Sequence, residues 1–335
     1  GGKNATIVTA MSDREQAVGN VVYSAFGNSG QKCSATSLLI LEREVYEDDA
    51  FKRQLTDAAA TFKTGSAWDF TSRMGPLVRP PGGPLREALT GLEPGESWAL
   101  EPQPLAGNPH LWTPGIKWNV PAGSSTHLTE FFGPVLGVMR AENLEQAVAL
   151  ANQTGYGLTA GLESLDRREQ DRWKDRIRAG NLYVNRGTTG AVVLRQPFGG
   201  MGQSALGAGI KTGGPHYVTQ FLDAEEIGPP PAGPLASPHP LLRIAQRWRH
   251  RLDCNGFGRD TDDVRKAILA IHSYLYWVET EFSRKIDFFH LRGQDNILRH
   301  LPVGSVVVRL HADDSLFEIL ARICAVRATG NHLRV

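Results

Sequence analysis

The segment Gly30-Gln31-Lys32-Cys33-Ser34-Ala35 sets a cysteine among small and polar neighbours, where a thiolate can meet a substrate. A thiolate adds to an electrophilic carbonyl carbon and can hold the acyl group as a thioester that water then cleaves. Cys33 is the candidate nucleophile, and its backbone N–H is one donor to the developing oxyanion. Free cysteine is also among the most buried residue types, but Gln31, Lys32 and Ser34 make a poor apolar core. A second segment, Thr129-Glu130-Phe131-Phe132-Gly133-Pro134, puts a carboxylate before two aromatics and a turn. In isolation it reads as a solvated strand end followed by core. A third, Gly187-Thr188-Thr189-Gly190-Ala191 with Gln196-Pro197-Phe198-Gly199-Gly200 beyond it, has small residues that leave backbone N–H groups free to cradle an anion. The Ser34 hydroxyl would add a donor; the plainer alternative is a surface turn.

These segments need elements to hold them. Apolar positions from Asp13 to Phe26 recur at helical spacing, and Gly27-Asn28 supplies the stop, so Cys33 follows a helix on a loop. Ser37 to Leu41 predicts a buried strand and Tyr46 to Phe62 a helix. A second round places strands at Val135–Met139, Leu158–Glu163 and Asn181–Asn185, and helices at Leu144–Asn152 and Arg167–Ala179. Strands alternating with helices predict an α/β fold with a largely parallel sheet and flanking helices. Between the rounds, Arg79 to Pro121 is rich in proline, glycine and tryptophan and reads as irregular strands and loops. Gly213 to Phe221 alternates as a terminal strand, and the Gly228–Pro234 run is a stiff spacer. Past it the pattern predicts helices at Leu241–Leu252, Asp262–Arg284 and Ser315–Arg327 and a strand at Ser305–Leu310.

A chain of 335 residues has room for about two domains. With 36 basic and 35 acidic side chains the formal net charge is +1, so nucleic acid and membrane surfaces are not expected partners. The three cysteines, Cys33, Cys254 and Cys324, make no disulfide framework or metal spacing, which fits a cytoplasmic protein. His272, His290, His300 and His311 show no paired metal spacing either, and no metal is expected. No apolar run approaches the roughly 18 to 20 residues needed to span a bilayer. Gly1-Gly2-Lys3-Asn4 has neither an initiator methionine nor a signal peptide, so the chain is expected to begin inside something larger.

Taken together, the first two segments resemble the active centre of the aldehyde dehydrogenase superfamily, whose thiol lies in a G-Q-x-C segment and whose E-x-F-G-P segment is matched by Glu130 to Pro134. The resemblance implies that Glu130 accepts hydrogen bonds from the ribose next to the nicotinamide of NAD and that Phe132 packs near the nicotinamide ring. The third segment is similar to the branch that acts on L-glutamate γ-semialdehyde (Δ1-pyrroline-5-carboxylate), in which groups matching Ser34, Gly190 and Ala191 bind the α-carboxylate and an aromatic matching Phe198 packs beside the aliphatic part. Gly180 to Ala191, His272-Ser273-Tyr274 and Phe289 to Asn296 resemble the dehydrogenase module of the proline utilization A family, which fuses it to a proline dehydrogenase. That implies a catalytic domain over residues 1–225 ending in an oligomerisation strand, a linker over 226–240, and part of an α/β accessory domain over 241–335. It further implies a homodimer in the full-length protein, and FAD only where an upstream proline dehydrogenase domain exists, not in this chain.

One departure stands out. The superfamily's general-base glutamate belongs to an E-x-G-G-K segment, and here it would stand just before Gly1. The cofactor-binding half and the asparagine of the oxyanion hole would also lie upstream. The chain is therefore expected to be the C-terminal portion of an NAD-dependent dehydrogenase, inactive alone, with the choice between NAD and NADP open. The alternative is a truncated dehydrogenase fold kept as a non-catalytic interaction module. A thiol acyltransferase would use a reactive cysteine too, but leaves Glu130 to Pro134 unexplained.

Overall fold

A computed structural model describes residues 1–192, 195–207, 209–223, 225, 228, 233–255 and 258–335, which form two compact units, Gly1–Gln220 and Phe221–Val335. The first unit begins with β1 (Asn4–Val8), α1 (Arg14–Phe26), β2 (Thr36–Glu42), α2 (Arg43–Tyr46) and α3 (Asp49–Ala60). It continues through α4 (Gly83–Thr90), β3 (Ser97–Leu100), β4 (Gly115–Trp118), α5 (Ser125–Leu128), β5 (Val135–Ala141), α6 (Leu144–Gln153), β6 (Thr159–Glu163), α7 (Arg167–Arg176) and β7 (Asn181–Val184). The seven strands make one sheet in the order β3-β4-β5-β2-β1-β6-β7, parallel except where β3 pairs antiparallel with β4. The α/β class with a mostly parallel sheet is as the sequence predicts.

Both faces of the sheet are covered, which is why the middle of β2, Leu38–Leu41, is aliphatic throughout rather than alternating with polar residues. Leu39 and Leu41 of β2 pack with α1 and α3 through Val18, Val22, Phe26, Phe51 and Leu55. The alternate residues Leu38 and Ile40 face α6 and α7 through Leu144, Val148 and the fully buried Trp173. Asp13 caps α1 by accepting from the Gln16 N–H at 3.0 Å. After α1 the chain runs through three left-handed residues, Asn28 (φ 56°), Ser29 (φ 57°) and Gly30 (φ 67°), which turn it onto the Cys33 loop. A Cβ on Gly30 would stand 2.2 Å from the Gly133 carbonyl oxygen, so only glycine lets the Cys33 and Glu130 segments touch.

Several elements depart from the sequence reading. β1 went unpredicted, although it lies between β2 and β6. The helix expected over Tyr46–Phe62 is α3, which starts only at Asp49 because the Asp48 carboxylate accepts from Ala50 N–H at 2.9 Å and caps it there, while Tyr46 ends the separate α2. Arg79–Pro121 holds α4 and two four-residue strands that extend the sheet, too short to show a period. The terminal strand expected over Gly213–Phe221 is corrected: the chain makes turns and a 3-10 turn at Val218–Phe221. There Thr219 Oγ1 donates to His216 O and Gln220 Nε2 to Tyr217 O, so local side-chain bonds satisfy backbone that a strand would have to pair across a sheet.

The second unit contains α8 (Pro240–Asn255), α9 (Gly258–Trp277), a π turn at Val278–Phe282, a short antiparallel pair β8 (Ile286–Asp287) and β9 (Ile297–Leu298), and a parallel pair β10 (Ser305–Val307) and β11 (His332–Arg334) flanking α10 (Leu316–Ala328). Its core gathers Leu242, Ile271, Leu275 and Cys324. Ser315 and Glu318 form a capping box at the start of α10. The strand predicted to reach Leu310 ends at Val307, and the long helix starts at Gly258 and gives way to the π turn. In the predicted spacer and linker, residues 226, 227 and 229–232 lie outside the described ones. Among the described residues no helix is long and apolar enough to cross a membrane, and no group of three or more His, Cys, Asp or Glu side chains could hold a metal ion.

Candidate active site

Cys33 sits at the tip of a turn closed by the Ala35 N–H donating to Lys32 O at 3.0 Å, and its side chain is exposed. The loop beneath it is pinned from below. Asn4, at the start of β1, donates through Nδ2 to Cys33 O at 2.8 Å and to Ala35 O at 2.9 Å, while its Oδ1 accepts from the Thr159 N–H at 3.1 Å. The carbonyl between them, Ser34 O, accepts from Thr188 Oγ1 at 2.9 Å and Thr159 Oγ1 at 3.3 Å. Thr36 Oγ1 lies 3.0 Å from Thr188 Oγ1 and 2.9 Å from Thr6 Oγ1, extending the chain of hydroxyls into the sheet. Asn4, Thr6, Thr36, Thr159 and Thr188 are all at most 3 % exposed. Three successive carbonyls are thus fixed by buried neutral donors, each of which would cost about 1–3 kcal/mol to leave unpaired.

Glu130, Phe132 and the Cys33 loop meet at one shallow cleft, lined by Gly30, Lys32, Ala35, Glu130, Phe132 and neighbouring residues. Gln31 joins the two segments: its Nε2 donates to Phe132 O at 3.1 Å and its Oε1 accepts from the Val78 N–H at 3.0 Å. Glu130 is half-buried, and its Oε1 accepts from the Gly2 N–H at 2.8 Å. Phe132 adopts φ 57° and leaves its ring 42 % exposed at the rim, whereas Phe131 is buried. Behind this rim lies a buried charged group. Lys117 Nζ donates to Glu96 Oε2 at 3.0 Å, and Lys3 Nζ lies 4.7 Å from the centre of the Phe131 ring. Burial, and then the nearby Lys117, pull the Lys3 pKa down to about 7.

The remaining predicted residues flank β7. Thr188 brings the Gly187–Ala191 loop to the Cys33 loop, and its methyl comes close enough that a Cβ on Gly161 would meet it at 3.1 Å. Gly190 (φ 90°) and Ala191 are exposed at the end of that loop. Ser34 is 7 % exposed, so the structure brings its backbone rather than an open hydroxyl to this network. Phe198 is half-buried on a turn bridged to Thr212. Between the two loops stands buried Tyr183, whose hydroxyl donates to Gln196 Oε1 at 3.4 Å. Its pKa is raised, chiefly by burial and in part by the neighbouring Cys33. The sequence reading missed Asn4, Thr6 and Thr159; the available signal was a polar residue opening an otherwise apolar run, as in Asn4-Ala5-Thr6-Ile7-Val8.

Residues 1–227 match the family model described as aldehyde dehydrogenase family. A 1-pyrroline-5-carboxylate dehydrogenase of Bacillus subtilis is 34 % identical over 231 residues, covering 67 % of this chain and 43 % of its own. The structure of proline utilization A from Corynebacterium freiburgense matches 99 % of this chain and 32 % of that one, with a TM-score of 0.83 and 40 % identity. A 1-pyrroline-5-carboxylate dehydrogenase from Thermus with bound NAD matches 67 % of this chain and 42 % of that one, with a TM-score of 0.59 and 35 % identity. The chain spans less than half the length of the curated relatives it matches.

Proposed function

The chain belongs to the aldehyde dehydrogenase family, and on that premise we propose that the protein oxidises L-glutamate γ-semialdehyde to L-glutamate with Cys33 as nucleophile. The observation that carries this reading is an exposed thiol on a loop whose carbonyls are held by buried Asn4, Thr159 and Thr188, and whose Lys32 and Ala35 line one cleft with Glu130 and Phe132. The Cys33 thiolate adds to the aldehyde carbon, and the backbone N–H of Cys33 donates to the oxygen that becomes negative. Collapse of the adduct expels hydride and leaves a thioester on Sγ, which water opens to release the acid and free the thiol. The pinned loop keeps Sγ and that N–H in register through both steps, so no reorganisation is needed as charge develops.

NAD, when bound, accepts the hydride. The rim fits the nicotinamide end of that cofactor: a half-buried carboxylate, Glu130, suits ribose hydroxyls, and the exposed Phe132 ring offers an apolar face. Gly190 and Ala191 are exposed and would meet the substrate's α-carboxylate, Ser34 is joined to their loop through its carbonyl and Thr188, and Phe198 would cover the aliphatic carbons. The activity is proposed for the full-length protein; residues 1–335 alone are expected not to reduce NAD, because the groups named here reach only its nicotinamide end. The relatives named 1-pyrroline-5-carboxylate dehydrogenase and the Thermus structure with NAD support the substrate and the cofactor. A spectrophotometric assay of the full-length protein with the semialdehyde and NAD, beside its Cys33→Ala and Glu130→Gln variants, tests the reading. Loss of turnover in the first and a raised KM for NAD in the second are expected; full activity in the Cys33→Ala protein would refute it.

A further inference from the structure

The turn that carries Phe198 hangs on a buried ammonium. Phe198 and Thr212 exchange backbone hydrogen bonds, N–H to O at 3.0 Å one way and 2.9 Å the other. Lys211, one residue before Thr212, sends its side chain beneath the turn, where Nζ donates to Gly180 O at 2.5 Å, Gly199 O at 2.7 Å and Asn181 Oδ1 at 3.1 Å. An ammonium has three N–H donors, and all three meet neutral oxygens here. Asn181, the first residue of β7, completes the clamp: its Oδ1 also accepts from the Gly199 N–H at 3.1 Å and its Nδ2 donates to Pro197 O at 3.1 Å. A Cβ on Gly180 would lie 1.9 Å from Gly199 O, so the turn is seated directly on the start of β7. With no carboxylate among its acceptors, burial lowers the Lys211 pKa to about 8. An apolar side chain would fill such a site at less desolvation cost, but it could not tie two backbone carbonyls and the Asn181 amide together.

We infer that Lys211 is a positioning residue of the site proposed above: with Asn181 it fixes the height of Phe198 and Gly199 over β7, and so sets how the carbon chain of an anionic aldehyde lies between the Gly190–Ala191 loop and Cys33. The inference rests on that proposed reading. Without the clamp the turn is free to shift, and a displacement of about 1 Å at a positioning element costs roughly a hundred-fold in rate.

The test is steady-state kinetics of the full-length protein and its Lys211→Met variant with glutamate semialdehyde, with propanal as a short neutral aldehyde, and with NAD varied separately. The expected result is a ten- to hundred-fold loss in kcat/KM for the semialdehyde, carried mainly by KM, with propanal changed less than about threefold and the KM for NAD unmoved. Asn181→Ala removes one of the three acceptors of Lys211 and the bonds to Gly199 and Pro197 while leaving Lys211 on Gly180 O and Gly199 O, so it should show a weaker form of the same signature; it decides the matter should Lys211→Met not fold. Equal losses for both aldehydes, or unchanged kinetics in a folded variant, would overturn the inference. Cys33→Ala separates the layers: if it still oxidises the semialdehyde, the parent reading falls, whereas a dead Cys33→Ala beside an unaffected Lys211→Met removes only the role of Lys211.

Discussion

The loop around Cys33 and the helix around Cys324 are opposite solutions to placing one sulfur. Around Cys33 the polar groups are buried and the thiol is exposed; Asn4 and a row of threonines hold backbone from inside the sheet. In α10 the thiol is buried among Leu242, Ile271 and Leu275, and burial raises its pKa. The difference teaches that the reactive candidate is identified by what lies under it, not by the cysteine itself.

The sharpest way to break the comparison is activity. In the full-length protein Cys33→Ala should lose roughly a thousand-fold or more of its turnover, as removal of a nucleophile does elsewhere, while Cys324→Ala should keep it; a steady-state assay of the pair decides. Next comes the support. Asn4→Ala unpairs the carbonyls of Cys33 and Ala35 and the N–H of Thr159, so kcat should fall about a hundred-fold and stability by roughly 3 kcal/mol or more, read from chemical denaturation. Labelling with a neutral alkylating reagent at pH 7 should modify Cys33 at least about tenfold faster than Cys324, which must wait for local opening; mass spectrometry of tryptic peptides measures both. Equal rates would erase the contrast.

The smallest effect concerns Glu163, buried at the end of β6, whose carboxylate accepts from Asn20 Nδ2 at 3.0 and 3.2 Å. Burial lifts its pKa from 4.5 to about 7. Because the folded value is the higher one, the fold is favoured by the bound proton below about pH 4.5, and that contribution is lost as pH rises through about 7. Glu163→Gln should therefore stabilise the protein by up to about 3 kcal/mol above pH 7 and make little difference near pH 4, as thermal melts across pH would show.

Much of this was legible in the sequence. Cys33 with its polar neighbours, the aliphatic runs of β2 and β5, and the helical spacing of α1 and α6 are local signals, and the structure follows them. What escaped was non-local or short. Strands β3 and β4 are four residues long and depend on β5 for their place. Gly213–Phe221 alternates like a strand, yet in this chain its backbone folds onto its own side chains. Asn4 and Thr159 look like ordinary polar interruptions until the sheet sets them under the loop. Lys211 carries no signal in the sequence, because the three uncharged oxygens that hold it leave no mark in composition.

The pinned loop also bears on the order of events during folding. Its supports come from residues 29 and 31 positions away through Asn4, 125 through Thr159 and 154 through Thr188. Contacts of such separation form late, after the entropy of closing long loops has been met. On the proposed reading, the geometry around Cys33 is complete only once β1, β6 and the Thr188 loop have all come together, so the thiol of a partly folded chain lacks its supports.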